Sequence, residues 1–299
     1  MLPVCNGVGP SCVSLPAGAW PRVIDFLVAR FPAIPETEWV ARMACGNVVD
    51  DHGNRVAPTQ AYRPHGKLYY YRSLPQESPK APEASILFED ELLVVADKPH
   101  FLPVTPAGKY LQETLLVRLR RKLAIDTLAP LHRIDRETAG VVLFAKQASA
   151  RKHYSALFAE RAVDKTYQAI APWRAELRFP LVRHSTLVSA DNFMQMREVV
   201  DGMQSPPAPN AHTTIELLHT EGALARYRLK PLTGKRHQLR VHMAALGLPI
   251  LGDRIYPELQ PEGGDDPANP LRLLAESIAF CDPITGAERR FSSRQTLNF

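Results

Sequence analysis

Cysteine is scarce in this sequence, with four in 299 residues, at Cys5, Cys12, Cys45 and Cys281. That is too few for a disulfide framework and fits no paired zinc-ligand spacing, so packing or surface thiols are expected. No apolar run approaches the roughly 20 residues that span a bilayer, so no membrane association is expected. The opening MLPVCNGVGPSCVSLPAGAW has no basic leader followed by a continuous apolar block. A secretory signal is therefore not expected, and a cytoplasmic location is. Charge of one sign is not in excess either: 36 Lys+Arg against 31 Asp+Glu leave a formal +5. A polyanion is an acceptable partner for such a chain, but this balance alone identifies none. No internal repeat is present.

What is there describes a globular chain, 45 % apolar and 22 % charged, long enough for a main domain of roughly 200 residues and a small accessory one. The Pro- and Ser-rich SLPQESPKAP at 73–82 marks the expected linker. Residues 1–80 then form a small N-terminal α/β unit. Its helices are expected over 20–31, with Val23, Phe26 and Leu27 at helical spacing, and over 36–45, closed by Gly46. Short strands follow at 48–49 and 67–72, around the turn-like DDHGN of 50–54.

Residues 84–299 read as one catalytic domain. It opens with a hairpin in ILFEDELLVVADKP and continues into an amphipathic helix over 111–124, with Leu111, Leu115, Leu119 and Leu123 on one face. Arg118, Arg121 and Lys122 lie largely off that face, where they either solvate the helix or meet phosphates. A buried strand is expected at 140–145, a helix at 148–162, and a period-two strand at 163–171 with Val163, Lys165, Tyr167 and Ala169 on one side. Further strands are expected at 213–218 and 223–229, and a helix over 236–246 stopped by Gly247 and Pro249. The Pro-rich MQSPPAPNA of 203–211 reads as an exposed loop. Hairpins mixed with interspersed helices make the fold class α+β.

Two segments concentrate chemistry. In PLHRIDRETAGVVLFAK, His132, Arg133, Asp135, Arg136, Glu137 and Thr138 crowd directly before an apolar strand. They form either a site or a charged turn in which Asp135 or Thr138 caps local backbone. In PLTGKRHQLRVHMAALGLPILGD, a Thr-Gly turn leads into the last helix, with Arg236 and Arg240 four residues apart and Leu239, Met243 and Leu246 free to face the core. His237 and His242 point in different directions at a spacing of five, so no metal site is expected.

HRIDRETAG resembles the HRLDxxTSG signature of the RluA-type pseudouridine synthases, and LTGKRHQLRVHMAALGLPILGD resembles their TGRxHQIRVH...GxPIxGD motif. DKPHFLPVTPAG at 97–108 is similar to the family's KPxGLxVxP segment, and DKTYQAI at 164–170 to its K-x-Y-x-A strand. The matches span about 97 to 253. Ile134 stands for the usual Leu, Ala139 for the usual Ser, and Thr105 where His is frequent, none of which removes a reactive group.

The resemblance implies a central mixed, mainly antiparallel sheet flanked by helices and loops around a cleft, and a cofactor-free isomerase acting on uridines in structured RNA. Ribosomal RNA is favoured over transfer RNA, and a monomer is expected. By resemblance, Asp135 is the catalytic carboxylate, Tyr167 the active-site tyrosine and Arg240 the basic partner of the Asp. The chemistry is compatible, because a carboxylate can attack or take a proton when the bond from ring nitrogen to sugar breaks, and a guanidinium beside it favours its charged form. Tyr167 would stack on the detached uracil or assist removal of the proton from carbon five; a buried core tyrosine is the structural alternative. A uridine must leave its stack first, and the resemblance places Arg133 in the vacated space. His132, Arg133, Thr138, Lys98, Lys235, Arg236, His237 and Gln238 are the expected RNA- and substrate-binding residues, with Lys98, Lys235 and Arg236 proposed for phosphate. The N-terminal unit resembles in outline the small RNA-binding module of ribosomal-protein type, through Trp39, Arg42, Gly46 and Val48 to Gly53. Its first helix has few basic residues, and a purely structural extension is the alternative. The same fold could instead serve an RNA-binding or assembly factor, or the carboxylate a nucleoside or glycan hydrolase.

Overall fold

The computed structural model describes residues 3–72, 77, 81–199, 208–261 and 263–299. The expected linker at 73–82 and the expected loop at 203–211 fall largely outside the described residues. The chain divides into two compact units, one of Met1–Ser78 with Pro106–Asp126, the other of Pro79–Thr105 with Thr127–Phe299.

The first unit contains β1 (Ser11–Ser14), α1 (Val23–Arg30), α2 (Glu36–Ala44), β2 (Val48–Asp50), β3 (Lys67–Tyr70) and α3 (Leu115–Leu123). Its three strands pair antiparallel in the order β1-β3-β2. Both early helices bury their apolar stripe, so Ile24, Leu27, Trp39 and Met43 share one core with Val48 and Leu68. The placement of α3 corrects the expectation that all of 84–299 forms one domain. Val117 packs with Val8 and Leu111; Arg120 Nη1 donates to Gly7 O at 3.1 Å and Arg121 Nε to Asn6 O at 2.9 Å. Arg118 pairs with Glu113. Arg120 and Arg121 therefore hold the segment that precedes β1 rather than simply coating an outer face. The helix is also shorter than expected: it begins after Thr114, whose hydroxyl accepts the Val117 N–H, and ends where Ala124 turns left-handed.

The second unit is α+β. Its strands are β4 (Ser85–Glu89), β5 (Leu93–Lys98), β6 (Ala129–Pro130), β7 (Ala139–Ala145), β8 (Asp164–Pro172), β9 (Leu181–Ser185), β10 (Leu187–Ser189) and β11 (Met196–Glu198). They continue with β12 (Ala211–Glu221), β13 (Leu224–Pro231), β14 (Leu273–Cys281) and β15 (Glu288–Ser292); the helices are α4 (Ala148–Ala159) and α5 (Gln238–Ala245). A large sheet runs β4-β5-β7-β14-β8-β13-β12-β9, with β15 on β14 and β6 on β7, while β10 and β11 form a separate hairpin. All of these pairings are antiparallel except β7 with β14. Every residue of β7 is buried, as expected of a central strand covered on both faces.

Side chains on α4, Ala150 and Tyr154, pack with Leu93, Val95, Val141 and Leu143. On α5, Leu239 and Met243 pack with Ala169, Tyr227 and Leu229, with Leu246 against the same cluster. The two helices thus cover different halves of the sheet, and the join between halves lies at β7, β14 and β8. Gly140 makes that join possible. Its φ is +115°, and a Cβ there would lie 2.2 Å from Ala275 O on the parallel partner, so any side chain would push β14 away from β7.

Candidate active site

The loop that ends β6 and begins β7 carries Arg133 to Thr138, and its backbone is braced on several sides. Thr138 N–H donates to Asp135 O at 3.2 Å, closing a turn. Lys98 Nζ, at the end of β5, donates to Arg136 O and to Pro99 O, each at 3.0 Å. His100 Nδ1 bonds Glu137 O at 2.6 Å, and the Arg136 guanidinium makes two bonds to Asp265 at 2.6 and 2.9 Å. Lys98 is fully buried, and that burial lowers its ammonium toward about 7, opposed by the charges of Glu137 and Asp135. It is therefore a brace under the loop, not a phosphate contact as expected: its donors are engaged with main-chain carbonyls and no solvent reaches it.

His132 is corrected in the same way. Its Nε2 accepts the Leu143 N–H at 3.1 Å and its ring stacks on Phe158 at 4.9 Å. Burial drives its basicity down to about 3, so it is a neutral anchor whose ring nitrogen is turned toward the sheet. Arg133, by contrast, is exposed. Thr138 is buried, but it does line the pocket that opens between this loop, β8 and the start of α5, as do Arg133 and Asp135.

That pocket has a volume of about 100 Å³, and Tyr167, Lys165, Lys235, His237, Gln238 and Arg240 also line it. An engineered apolar cavity of about 150 Å³ takes up a benzene ring, so the pocket has room for no more than one planar ring, with anything attached left at its mouth. At its floor Arg240, with a side chain 1 % exposed, meets three carboxylates. It makes two bonds to Asp253 at 2.6 and 2.8 Å, one to Asp135 at 3.2 Å, and lies 3.9 Å from Glu137. Burial alone would weaken the guanidinium's hold on its proton, but the Asp253 bonds and the surrounding negative charge outweigh that and raise it above its ordinary value. The Tyr256 ring lies 5.5 Å from the same guanidinium.

Asp135 is less enclosed, with a side chain 25 % exposed at the pocket. Its second oxygen faces His237 Nε2 at 3.9 Å, while His237 Nδ1 bonds Tyr256 Oη at 3.0 Å. Burial lowers the His237 imidazole, partly offset by Asp135. Tyr167, in the middle of β8, pairs with Leu229 and Ala275 on its two neighbours. Burial and the nearby Asp135 charge both raise its phenol above the ordinary range, so the ring enters the site neutral, a hydrogen-bond donor and stacking face rather than a ready base.

The remaining expected residues separate by environment. Gln238 is buried and uses its full bonding capacity internally. Its Oε1 accepts from Thr233 Oγ1 and Lys235 N–H, and its Nε2 donates to His212 O and Thr213 Oγ1, all at 2.7 to 3.1 Å. It shapes the turn before α5 and lines the pocket with its side-chain bonds already made within the protein. Arg236 precedes the helix, which starts at Gln238, so it does not share a face with Arg240; its Nη2 donates to Phe193 O at 2.5 Å. Lys235 is exposed at the pocket rim.

Sequence reasoning missed Asp253, Tyr256 and Lys165 as site residues, and placed Glu137 in the dense stretch without giving it a role. Asp253 closes the second motif, and its placement depends on Gly252, whose φ of +76° brings the chain so near Pro270 that a Cβ would lie 2.3 Å from that carbonyl. Lys165 shares the face of β8 with Tyr167 and donates to Thr233 O at 3.2 Å, its basicity lowered by burial. Its alternation with Tyr167 was the available signal; Tyr256 had none. Among the described residues no group of three or more His, Cys, Asp or Glu is placed to hold a metal ion, and no helix is long and apolar enough to cross a membrane.

With the geometry established, comparison with known proteins is specific. The RNA pseudouridylate synthase family profile matches residues 92–245. An uncharacterized RNA pseudouridine synthase of Synechocystis is 30 % identical over 236 residues, covering 78 % of this chain and 79 % of that protein. The dual-specificity RNA pseudouridine synthase RluA of Haemophilus influenzae is 31 % identical over 217 residues, covering 72 % of this chain and 95 % of its own. Among solved structures, human RNA pseudouridylate synthase domain containing 1 superposes with a TM-score of 0.57 at 22 % identity, over 74 % of this chain and 86 % of that one. At that identity the likeness speaks to the fold.

Proposed function

We propose that Asp135 is the catalytic carboxylate of this chain, which belongs to the RNA pseudouridylate synthase family and is, as that membership entails, an isomerase acting on RNA uridine. The observation that carries the proposal is the Asp135–Arg240 pair at 3.2 Å, at the floor of a pocket for one ring and beside a neutral Tyr167. A uridine extruded from its RNA would place its base against Tyr167 and its sugar near Asp135. There the carboxylate attacks or abstracts a proton as the glycosidic bond breaks. Arg240 aims the Asp135 carboxylate, and its own position is held by Asp253. Arg133, exposed at the mouth, occupies the space the flipped base leaves.

Structured RNA is the proposed substrate, with ribosomal RNA as the first class to test. The name of the Haemophilus relative, a dual-specificity enzyme, supports testing transfer RNA alongside it. The deciding experiment measures tritium release from cellular RNA labelled at carbon five of uridine, with chelator present, for the protein and its Asp135→Asn variant. Release by the wild type alone is expected. Tight binding without release from any RNA class would make the chain an RNA-binding factor on this fold.

A further inference from the structure

Hairpin β10–β11 takes no part in the chemistry proposed above, yet its tip is fastened to residues adjoining those of the Asp135 pocket. Arg236 Nη2 donates to Phe193 O, Gln195 Nε2 donates to Ile255 O at 2.7 Å, and Met196 N–H donates to Tyr256 Oη at 2.7 Å. The same Tyr256 hydroxyl bonds His237, which lies 3.9 Å from Asp135. Within the turn, Asn192 Oδ1 accepts the Met194 N–H at 2.9 Å and Asn192 O accepts the Gln195 N–H at 3.0 Å. The turn is thus closed internally and tied to Arg236, Ile255 and Tyr256, the last of which bonds the pocket-lining His237.

What this scaffold presents is an aromatic ring in water. Phe193 is 78 % exposed, the most exposed of the large apolar side chains among the described residues, and Met194 beside it is 38 % exposed. A single exposed apolar residue is ordinary, and its exposure alone would say nothing. Here the ring sits on a braced turn whose Phe193 carbonyl accepts from the exposed Arg236, the sequence neighbour of Lys235 and His237, which line the pocket. An aromatic face flanked by cations is how proteins hold unpaired nucleotides, the ring stacking on a base while the cations meet the backbone.

We propose that Phe193 is a stacking platform for an RNA base neighbouring the target uridine. The assignment rests on the reading of the pocket as a uridine site. It adds a second point of contact, outside the pocket, that holds the strand while the target nucleotide is turned inward. Phe193 makes no contact with the reacting atoms, so its loss should weaken capture of RNA and leave the chemical step intact.

The test has two arms. In the first, fluorescence anisotropy follows binding of a labelled oligouridine and of the same oligomer with abasic riboses flanking the central uridine. Phe193→Ala should bind the intact oligomer about tenfold more weakly, within the roughly 5- to 150-fold range expected for one lost base–aromatic stack. Phe193→Tyr should retain affinity. The abasic oligomer should bind wild type as weakly as the intact one binds Phe193→Ala, with no further loss in the variant. In the second arm, tritium release from cellular RNA should show a raised KM at unchanged kcat. Equal binding of both oligomers by wild type and Phe193→Ala, or failure of wild type to bind oligouridine, overturns the proposal. If wild type binds as described but releases no tritium, the isomerase reading of the pocket fails while the stacking platform stands.

Discussion

Asp135 and Arg240 face each other across 3.2 Å, but the chain holds them in opposite ways. Arg240 comes from a helix packed into the core, is 1 % exposed, and has a two-bond partner in Asp253, itself 1 % exposed. Asp135 comes from a loop whose backbone is braced by Lys98, His100 and Arg136, while its carboxylate keeps one short bond and a quarter of its surface open. The cation is over-determined and the anion is left accessible. That division suits a site in which the carboxylate must engage an incoming sugar and the guanidinium must only hold still, because preorganised charge costs no rearrangement at the moment of reaction.

Breaking the accessible half should cost activity and little else. Asp135→Asn should reduce tritium release by about 10⁴-fold or more, as loss of a principal reacting group does. Arg240 would still be paired with Asp253, so the free energy of urea unfolding should stay within about 1 kcal/mol of wild type. A large loss of stability in this variant would mean that Asp135 is a structural carboxylate.

Breaking the buried half should do the reverse. Asp253→Ala strands the Arg240 guanidinium and removes the acceptor of the Ile255 and Tyr256 N–H groups. A loss of about 3–5 kcal/mol in urea unfolding is expected, as for other buried pairs deprived of one partner. Activity should fall with it, since Arg240 then has no fixed direction. Wild-type stability in Asp253→Ala would show that the pair is dispensable to the fold.

The same contrast governs how much could be read from sequence. Strands β7, β8, β12 and β13 and helices α4 and α5 were legible because their apolar spacing is local, and the two dense motifs marked Asp135 and Arg240. Strands β9, β14 and β15 and the β10–β11 hairpin went unread, and with them the parallel β7–β14 join, which depends on Gly140 meeting a strand more than 130 residues away. Three polar residues expected at the RNA share one feature. Lys98, His132 and Gln238 are polar types that sequence places on a surface by default, and each is bonded by main-chain or hydroxyl partners within the fold. Periodicity reports which face is apolar; it does not report which polar side chain a distant loop will need.

Acid should expose the interior histidines. His132, lowered to about 3, and His242, lowered to about 4 and bonded to Ser185 and Thr213, are both neutral when folded. Unfolded, each takes a proton near its ordinary 6.5. The unfolded state therefore binds more protons below about pH 6.5, and stability should fall as pH drops from there toward 4, by roughly 1 kcal/mol per pH unit for each residue. His132→Gln keeps an acceptor for the Leu143 N–H without titrating, so urea unfolding across this range should show a shallower slope. An unchanged slope would mean that His132 is protonated in the native protein.

The smallest expected effect separates the two lysines that sequence placed together. Lys235 sits exposed at the pocket rim, whereas Lys98 is sealed beneath the loop. Lys235→Ala should weaken RNA binding severalfold and reduce the slope of log affinity against log salt by about 1, the signature of one lost phosphate contact. Lys98→Met should leave that slope alone, because a buried ammonium bonded to carbonyls releases no counterion from RNA; its effect belongs to the stability of the Asp135 loop. If Lys98→Met also flattened the salt dependence, the loop it braces would have to carry a phosphate contact of its own, and exposed Arg133, the cation of that loop at the pocket mouth, is where it would be sought.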